Sequence, residues 1–115
     1  TRDGSCIRDY IHVMDIANAH TKSIGYLSAN SGEGFVDVFN LGTGNGVTVL
    51  EAIQSFEKVS GQKLNYKLGP RRAGDVVSIY ANNNKAVTKL GWQINRDLDT
   101  MMSTAWAWEL VMSKS

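Results

Sequence analysis

Two periods of hydrophobic and polar residues alternate along this chain. Ile7 to Val13 is β-branched and aromatic and reads as a short extended segment. From Val13 the period changes. Val13, Ile16, Ala17, His20, Ile24 and Leu27 fall at helical spacing on one face. Asp15 lies in the first turn, where a carboxylate favours the helix dipole. The cluster Asn30-Ser31-Gly32-Glu33-Gly34 ends this helix. Phe35 to Leu41 is strand-like, with Val36 and Val38 sharing a face, and runs into the glycine loop Gly42-Thr43-Gly44-Asn45-Gly46. Thr48 followed by Glu51 is a capping-box pattern, so a helix starts there. Val49, Leu50, Ile53 and Phe56 are its expected buried stripe, and Gly61 follows its end. Leu64, Tyr66 and Leu68 alternate as a second strand, and Gly69 to Asp75 is a loop rich in Arg and Gly. Asn82 to Leu90 predicts a short helix closed by Gly91. A last helix runs from about Arg96 toward Val111, with Leu98, Met101, Ala105, Trp108 and Met112 along one side.

This order predicts a small α/β layer of two or three strands and about four helices. Two strands linked by a helix favour a parallel pair with a right-handed crossover, so the sheet is expected to be partly parallel. Residues 1–115 form one domain by length, with surface for one modest core. The sheet is small for an independent domain, and the chain begins almost directly in a strand. That is the pattern expected of part of something larger.

Composition removes several classes. With 12 basic and 11 acidic residues the net charge is +1, which argues against coating nucleic acid by bulk electrostatics. No apolar run approaches the ~18–20 residues of a membrane span, and the start has no signal-peptide pattern. One cysteine, Cys6, can form no internal disulfide and no metal cluster. A reducing cytoplasm is the expected home.

The richest chemistry lies in Pro70-Arg71-Arg72-Ala73-Gly74-Asp75. Two adjacent guanidiniums present planar forks of donors that suit phosphate oxygens. Asp75 is acceptor-only and could take hydrogen bonds from a ribose diol. Arg8 is a third cationic group. The plainer alternative is a solvated surface pair, with Asp75 as a local salt-bridge partner. The Gly42 loop invites a dinucleotide reading, but the third glycine of G-x-G-x-x-G would be Val47. A tight strand-to-helix turn accounts for it, although a helix N-terminus there could still face an anion. His20 sits on the apolar face of its helix, as a core or subunit-packing residue, and His12 in the first strand has no second ligand at metal spacing. Trp92, Trp106 and Trp108 read as core or domain-interface residues. No tyrosine is followed by Lys four residues later, so there is no catalytic residue to assign. The chain can bind an anion but shows no complete active site.

Arg8-Asp9-Tyr10-Ile11-His12-Val13-Met14-Asp15 resembles a signature of the nucleotide-sugar-modifying extended short-chain dehydrogenases, and most of all of the UDP-glucose 4-epimerases. The resemblance continues in order through Ile16 to His20, Phe39 to Gly44, Arg71 to Asp75, Lys85-Ala86, Leu90-Gly91-Trp92 and the helix from Leu98 to Trp108. It implies a small C-terminal substrate-binding lid, without the N-terminal Rossmann domain that carries the Tyr-x-x-x-Lys pair and binds NAD. It also implies a parent enzyme that oxidises and re-reduces a UDP-sugar at C4, working as a homodimer. By the same resemblance, Arg8 and Arg72 hold the diphosphate and Asp75 the uridine ribose. Arg71 is a structural or rim residue, and Asp9, His12 and Asp15 are scaffold that fixes Arg8 and starts the helix. Ile79 matches a sugar-facing position, where bulk excludes N-acetylated sugars. The Gly42 loop becomes a turn near the domain seam, and no cofactor or metal is expected on this chain itself. A related UDP-pentose or UDP-uronate epimerase, or a stand-alone nucleotide-binding module, would share many of these features.

Overall fold

The computed structural model describes residues 1–30, 32 and 34–114; Ser31 and Glu33 of the expected helix-ending cluster lie outside the described residues. The first strand, β1, is Ile7–Arg8. It pairs antiparallel with β2, Val47–Thr48, through Ile7 opposite Thr48 and Arg8 opposite Val47. A single parallel bridge joins Ile7 to Ser78, made by Ile7 N–H to Val77 C=O (2.9 Å) and Ile79 N–H to Ile7 C=O (3.1 Å). The expected parallel pair with a helical crossover is therefore not formed among the described residues. Among the described residues, 35–41 and 64–68 join no ladder, and the only parallel contact is that one bridge.

Helix α1 spans Val13–Ala29, and its start follows from local chemistry. His12 is the N-cap: its Nδ1 accepts from Met14 N–H (3.0 Å), and its Nε2 lies 2.9 Å from Thr104 Oγ1. Asp15, one turn in, is fully buried. Its carboxylate accepts from the N–H groups of Asn95 and Arg96 and pairs with the Arg96 guanidinium at 2.8 Å. The Asp15 carbonyl accepts from Trp92 Nε1 at 2.7 Å. Trp92, Ala86 and Ala19 form the core, with Ile11, Phe39, Leu41, Leu90 and Ile94 packed around them. Asp15 and Ala19 thus define the inward face of α1. The expected stripe points elsewhere: Val13 is 70% exposed, Ile24 67%, and Ala17 and His20 are also exposed. His20 is thus not in the core; its Nδ1 lies 2.8 Å from the Ile16 carbonyl one turn back. The buried polar anchor, which hydrophobic periodicity does not register, decides the rotation of this helix.

Helix α2, Val49–Ser60, has the full capping box. Thr48 Oγ1 accepts from Glu51 N–H (3.1 Å), and Glu51 Oε2 accepts from Thr48 N–H (3.0 Å). Gly61 closes it with φ +71°, the left-handed cap that glycine adopts without strain. Arg2 clasps Glu51 with two donors (2.6 and 2.7 Å) and reaches the Gly46 carbonyl (2.9 Å). The buried side of α2 is small, Ala52 and Ser55, with Leu50, Ile53 and Phe56 half-buried and Val49 exposed. Small residues let helix α3, Leu98–Ser113, approach. Phe56 meets Trp106 edge-on at 5.4 Å, and Asp99 accepts from Ser55 and Lys58. Asp97 caps α3 by accepting from Thr100 N–H (2.8 Å), so the helix begins at Leu98, two residues later than the sequence suggests. Beyond Trp106 the helix has no inward face: residues 107–114, Trp108 and Met112 among them, are exposed, as is Ala105 before it. The expected short helix is a turn at Asn84–Lys85 continuing into a π-helical turn at Ala86–Leu90, closed by Gly91 at φ +66°.

The radius of gyration is 17.5 Å, against roughly 13 Å for a compact chain of this length. The molecule is a thin slab, 53 × 38 × 21 Å, with a core one side chain deep. No helix is long and apolar enough to cross a membrane, and no group of three or more potential metal ligands occurs, among the described residues.

Candidate functional site

β1 ends at Arg8, and the residue after it fixes the backbone from which Arg8 projects. Asp9 is a brace. Its Oδ1 accepts from Thr43 N–H (3.0 Å) and hydroxyl (2.9 Å), and its Oδ2 accepts from Ala81 N–H (2.9 Å). The brace works only because Gly42 lacks a side chain. A Cβ there would lie 2.0 Å from Asp9 Oδ2 and 2.8 Å from Ala81 Cβ. Gly46 is similarly closed: a Cβ there would lie 2.2 Å from Ile7 Cγ2. Gly42 and Gly46 serve close approach of the chain to itself, and Gly44 between them supplies a φ of +75°.

Arg8 is held by one nitrogen. Its Nη1 donates to the carbonyls of Ile7 and Val76, each at 2.8 Å, and Nε and Nη2 have no partner among the described residues. The guanidinium is thus oriented while most of its fork stays available to an anion. It lines an open cleft of about 590 Å³ together with Ser5, Cys6, Leu68, Arg72, Asp75 and Val77. Arg72 and Asp75 are engaged with each other, Nε to Oδ2 at 2.9 Å, and Arg71 donates to the Asp75 carbonyl at 3.1 Å. The carboxylate raises the Arg72 guanidinium further above its ordinary value, chiefly through that hydrogen bond.

Arg8, Arg72 and Asp75 therefore converge on one cleft. Ile79 does not reach it. This residue, 56% exposed, lines a neighbouring hollow of about 540 Å³ with Asp9, Asn40, Tyr80 and Asn82, and Arg8 is the wall that both spaces share. Several participants were not legible as site residues. The Val76 carbonyl that steers Arg8 acts through backbone geometry, which leaves no mark on residue type, and Thr43 fixes Asp9 through its hydroxyl as well as its N–H, from 34 residues along the chain. Leu68 and Pro70 line the cleft, and their position beside the arginine pair was the available signal.

Residues 1–105 match the GDP-mannose 4,6 dehydratase family. The chain belongs to that family. It is 48% identical over 108 residues to a bifunctional UDP-glucose 4-epimerase and UDP-xylose 4-epimerase of Arabidopsis thaliana, covering 94% of this chain and 30% of that relative. It is 42% identical to a UDP-glucose 4-epimerase of Bacillus subtilis, covering 95% of this chain and 31% of the relative. Among solved structures it matches a UDP-glucose 4-epimerase from Stenotrophomonas maltophila with bound NAD and formylated UDP-arabinopyranose. The TM-score is 0.93 and the identity 39%, over 99% of this chain and 33% of the other. The chain thus spans about a third of the length of the relatives it matches. The resemblance read from the sequence, to the C-terminal part of UDP-glucose 4-epimerases, is what these comparisons return.

Proposed function

We propose that residues 1–115 are the substrate-binding unit of an NAD-dependent UDP-sugar 4-epimerase that interconverts UDP-galactose and UDP-glucose by transient oxidation at C4. In this reading Arg8 and Arg72 hold the diphosphate, Asp75 accepts from the uridine ribose, and Ile79 borders the sugar. One observation carries it most. Arg8 is pinned through a single nitrogen, with the rest of its fork open, at the junction between the Arg72–Asp75 cleft and the Ile79 hollow. A nucleotide diphosphate with a sugar at its end has this shape: a nucleoside, two phosphates at a cationic joint, and a polar ring beyond.

Nicotinamide chemistry supplies the hydride exchange at C4, and the groups that hold that cofactor belong to the rest of an epimerase-length protein, which acts as a homodimer. The contribution of this chain is recognition. Arg72 and Asp75 hold each other when no ligand is bound, and a diphosphate and a ribose diol would exchange for that exposed pair at little cost, since such pairs contribute only ~0–1 kcal/mol. By the same token, this chain alone would bind UDP weakly, with an exposed Arg72, a half-buried Arg8 and an open cleft.

The test is turnover by the epimerase-length protein that contains this chain, supplied with UDP-galactose and followed by product chromatography. UDP-glucose is the expected product. Turnover confined to UDP-pentoses or UDP-uronic acids would overturn the substrate assignment, and a sub-micromolar Kd for UDP on the isolated chain would favour a stand-alone binding module.

A further inference from the structure

The turn behind Arg8 contains the only asparagine–glycine step in the chain, Asn45–Gly46. The backbone nitrogen of the residue after an asparagine can attack the asparagine side chain. A side chain on that following residue stands in the way, and glycine has none. Three features favour the reaction here. Asn45 is exposed, and its amide side chain has no hydrogen-bond partner among the described residues. The Gly46 N–H has no acceptor among the described residues either, because the ladder between β1 and β2 begins one residue later, at Val47. The glycine is also obligatory, since a Cβ at 46 would meet Ile7 Cγ2 at 2.2 Å and Tyr80 Cδ1 at 2.8 Å. Packing thus keeps the susceptible neighbour in place.

Both sides of this step are anchored. On the near side, Thr43 is tied to Asp9 by its N–H (3.0 Å). Its hydroxyl lies between Asp9 Oδ1 (2.9 Å) and the Asn45 carbonyl oxygen (2.6 Å). On the far side, Gly46 is wedged against Ile7 and Tyr80, and its carbonyl accepts from Arg2 Nη2 (2.9 Å). The next residue, Val47, is paired with Arg8. A change in backbone length between Asn45 and Gly46 has to move one anchor or the other.

We propose that Asn45 is a self-modification site whose rearrangement to isoaspartate releases the brace behind Arg8. The Gly46 amide nitrogen loses its proton and bonds to Asn45 Cγ; the Cγ–Nδ2 bond breaks, and ammonia leaves with a proton. The product is a cyclic imide, and nothing is oxidised or reduced. Water then opens one of its two carbonyls. Opening at Cγ gives aspartate on an unchanged backbone. Opening at the backbone carbonyl carbon gives isoaspartate: the chain now runs through Cβ and Cγ, one carbon longer, and the former Asn45 carbonyl becomes a free carboxylate. That carboxylate stands one hydroxyl away from Asp9 Oδ1, so two anions compete for the single Thr43 hydroxyl proton. The extra carbon also drives Gly46 against Ile7. Both effects loosen Thr43 from Asp9 and Val47 from Arg8. The consequence for substrate rests on the UDP-sugar reading of Arg8; the modification itself does not.

The test ages the epimerase-length protein that contains this chain at mildly alkaline pH, where the amide nitrogen deprotonates more readily. Isoaspartate is located by peptide mass spectrometry with isoaspartyl methyltransferase labelling. Asn45 should convert, while Asn65, also exposed but followed by Tyr66, does not. KM for UDP-galactose should rise about tenfold in the isoaspartate-bearing fraction, the size of one displaced charge-assisted contact. Asn45→Ser needs no left-handed backbone at 45, and should resist ageing and keep the KM of fresh protein. Asn45→Asp carries the product's charge on an unlengthened backbone and should behave as fresh protein does. Intact Asn45 after ageing, conversion with an unchanged KM, or a raised KM in Asn45→Asp each overturns the inference. If fresh protein turns over no UDP-galactose, the substrate reading falls instead, and the melting temperature of the 115-residue chain decides the matter. A drop of about 5 °C on isoaspartate formation upholds the release of the brace, and no drop overturns it.

Discussion

Two guanidinium–carboxylate pairs of nearly equal length sit in this molecule and have opposite characters. Asp15 and Arg96 approach to 2.8 Å, and Arg72 and Asp75 to 2.9 Å. Asp15 is fully buried. Both its oxygens are used, by two backbone N–H groups as well as by the guanidinium, and its own carbonyl fixes Trp92. Arg72 is 84% exposed, three residues from its partner, in a loop lining an open cleft. The same two functional groups make a permanent joint in one place and an exchangeable one in the other. Distance does not separate them; burial and the number of additional partners do.

The largest effect that would test this contrast is at the buried pair. Asp15→Ala leaves the Arg96 guanidinium and two N–H groups without their acceptor, and should cost about 3 kcal/mol or more of folding stability in urea titration. A loss below about 1 kcal/mol would show that water replaces the carboxylate and that the joint is not structural. Next is the brace behind Arg8. Gly42→Ala puts a methyl 2.0 Å from Asp9 Oδ2, and should cost about 1–3 kcal/mol in the same titration. A neutral Gly42→Ala would mean that the Asp9 brace moves freely.

Acid sensitivity follows in size. The Arg2 guanidinium and the Thr48 N–H hold Glu51 down to about 2 from an ordinary 4.5. Hydrogen bonds from Lys85 and Tyr26 to Asp37, and from Lys58 and Ser55 to Asp99, lower those carboxyls too. Groups lowered on folding bind more protons when unfolded. Their contribution is therefore complete above about pH 4.5 and is lost as the pH falls toward about 2. Melting temperature should fall across that window, less steeply in Glu51→Gln; an unaltered slope would remove Glu51 from the account. The smallest effect is at the exposed pair: Arg72→Ala should leave the melting temperature unchanged, and a clear drop would make the pair structural after all.

The sequence made some of this legible and hid the rest for physical reasons. Thr48 and Glu51 are three residues apart and settle a helix start by local chemistry alone, as the structure shows. Gly61 and Gly91 end their elements for the same reason. The rotation of α1 was misread because its anchor is a buried carboxylate, whose partners Asn95 and Arg96 lie far along the chain. Residues 35–41 carry a strand's alternation without a strand's ladder, since ladders depend on a second segment that local pattern cannot supply. At the site, residue type pointed to Arg8, the adjacent Arg71 and Arg72, and Asp75; the family resemblance singled out Arg72 from the pair, and the structure brings Arg8, Arg72 and Asp75 to one cleft. It leaves Ile79 in the adjoining hollow, a division set by where the Arg8 side chain stands between them.

The measurement closest to the central claim is steady-state kinetics of Arg72→Ala in the epimerase-length protein, with UDP-galactose as substrate. If the exposed pair is exchanged for the diphosphate and ribose, KM should rise roughly tenfold or more, the loss of a charge-assisted contact, at an unchanged melting temperature. An unchanged KM in a normally folded protein would contradict the account, and would return Arg72 and Asp75 to an ordinary surface salt bridge.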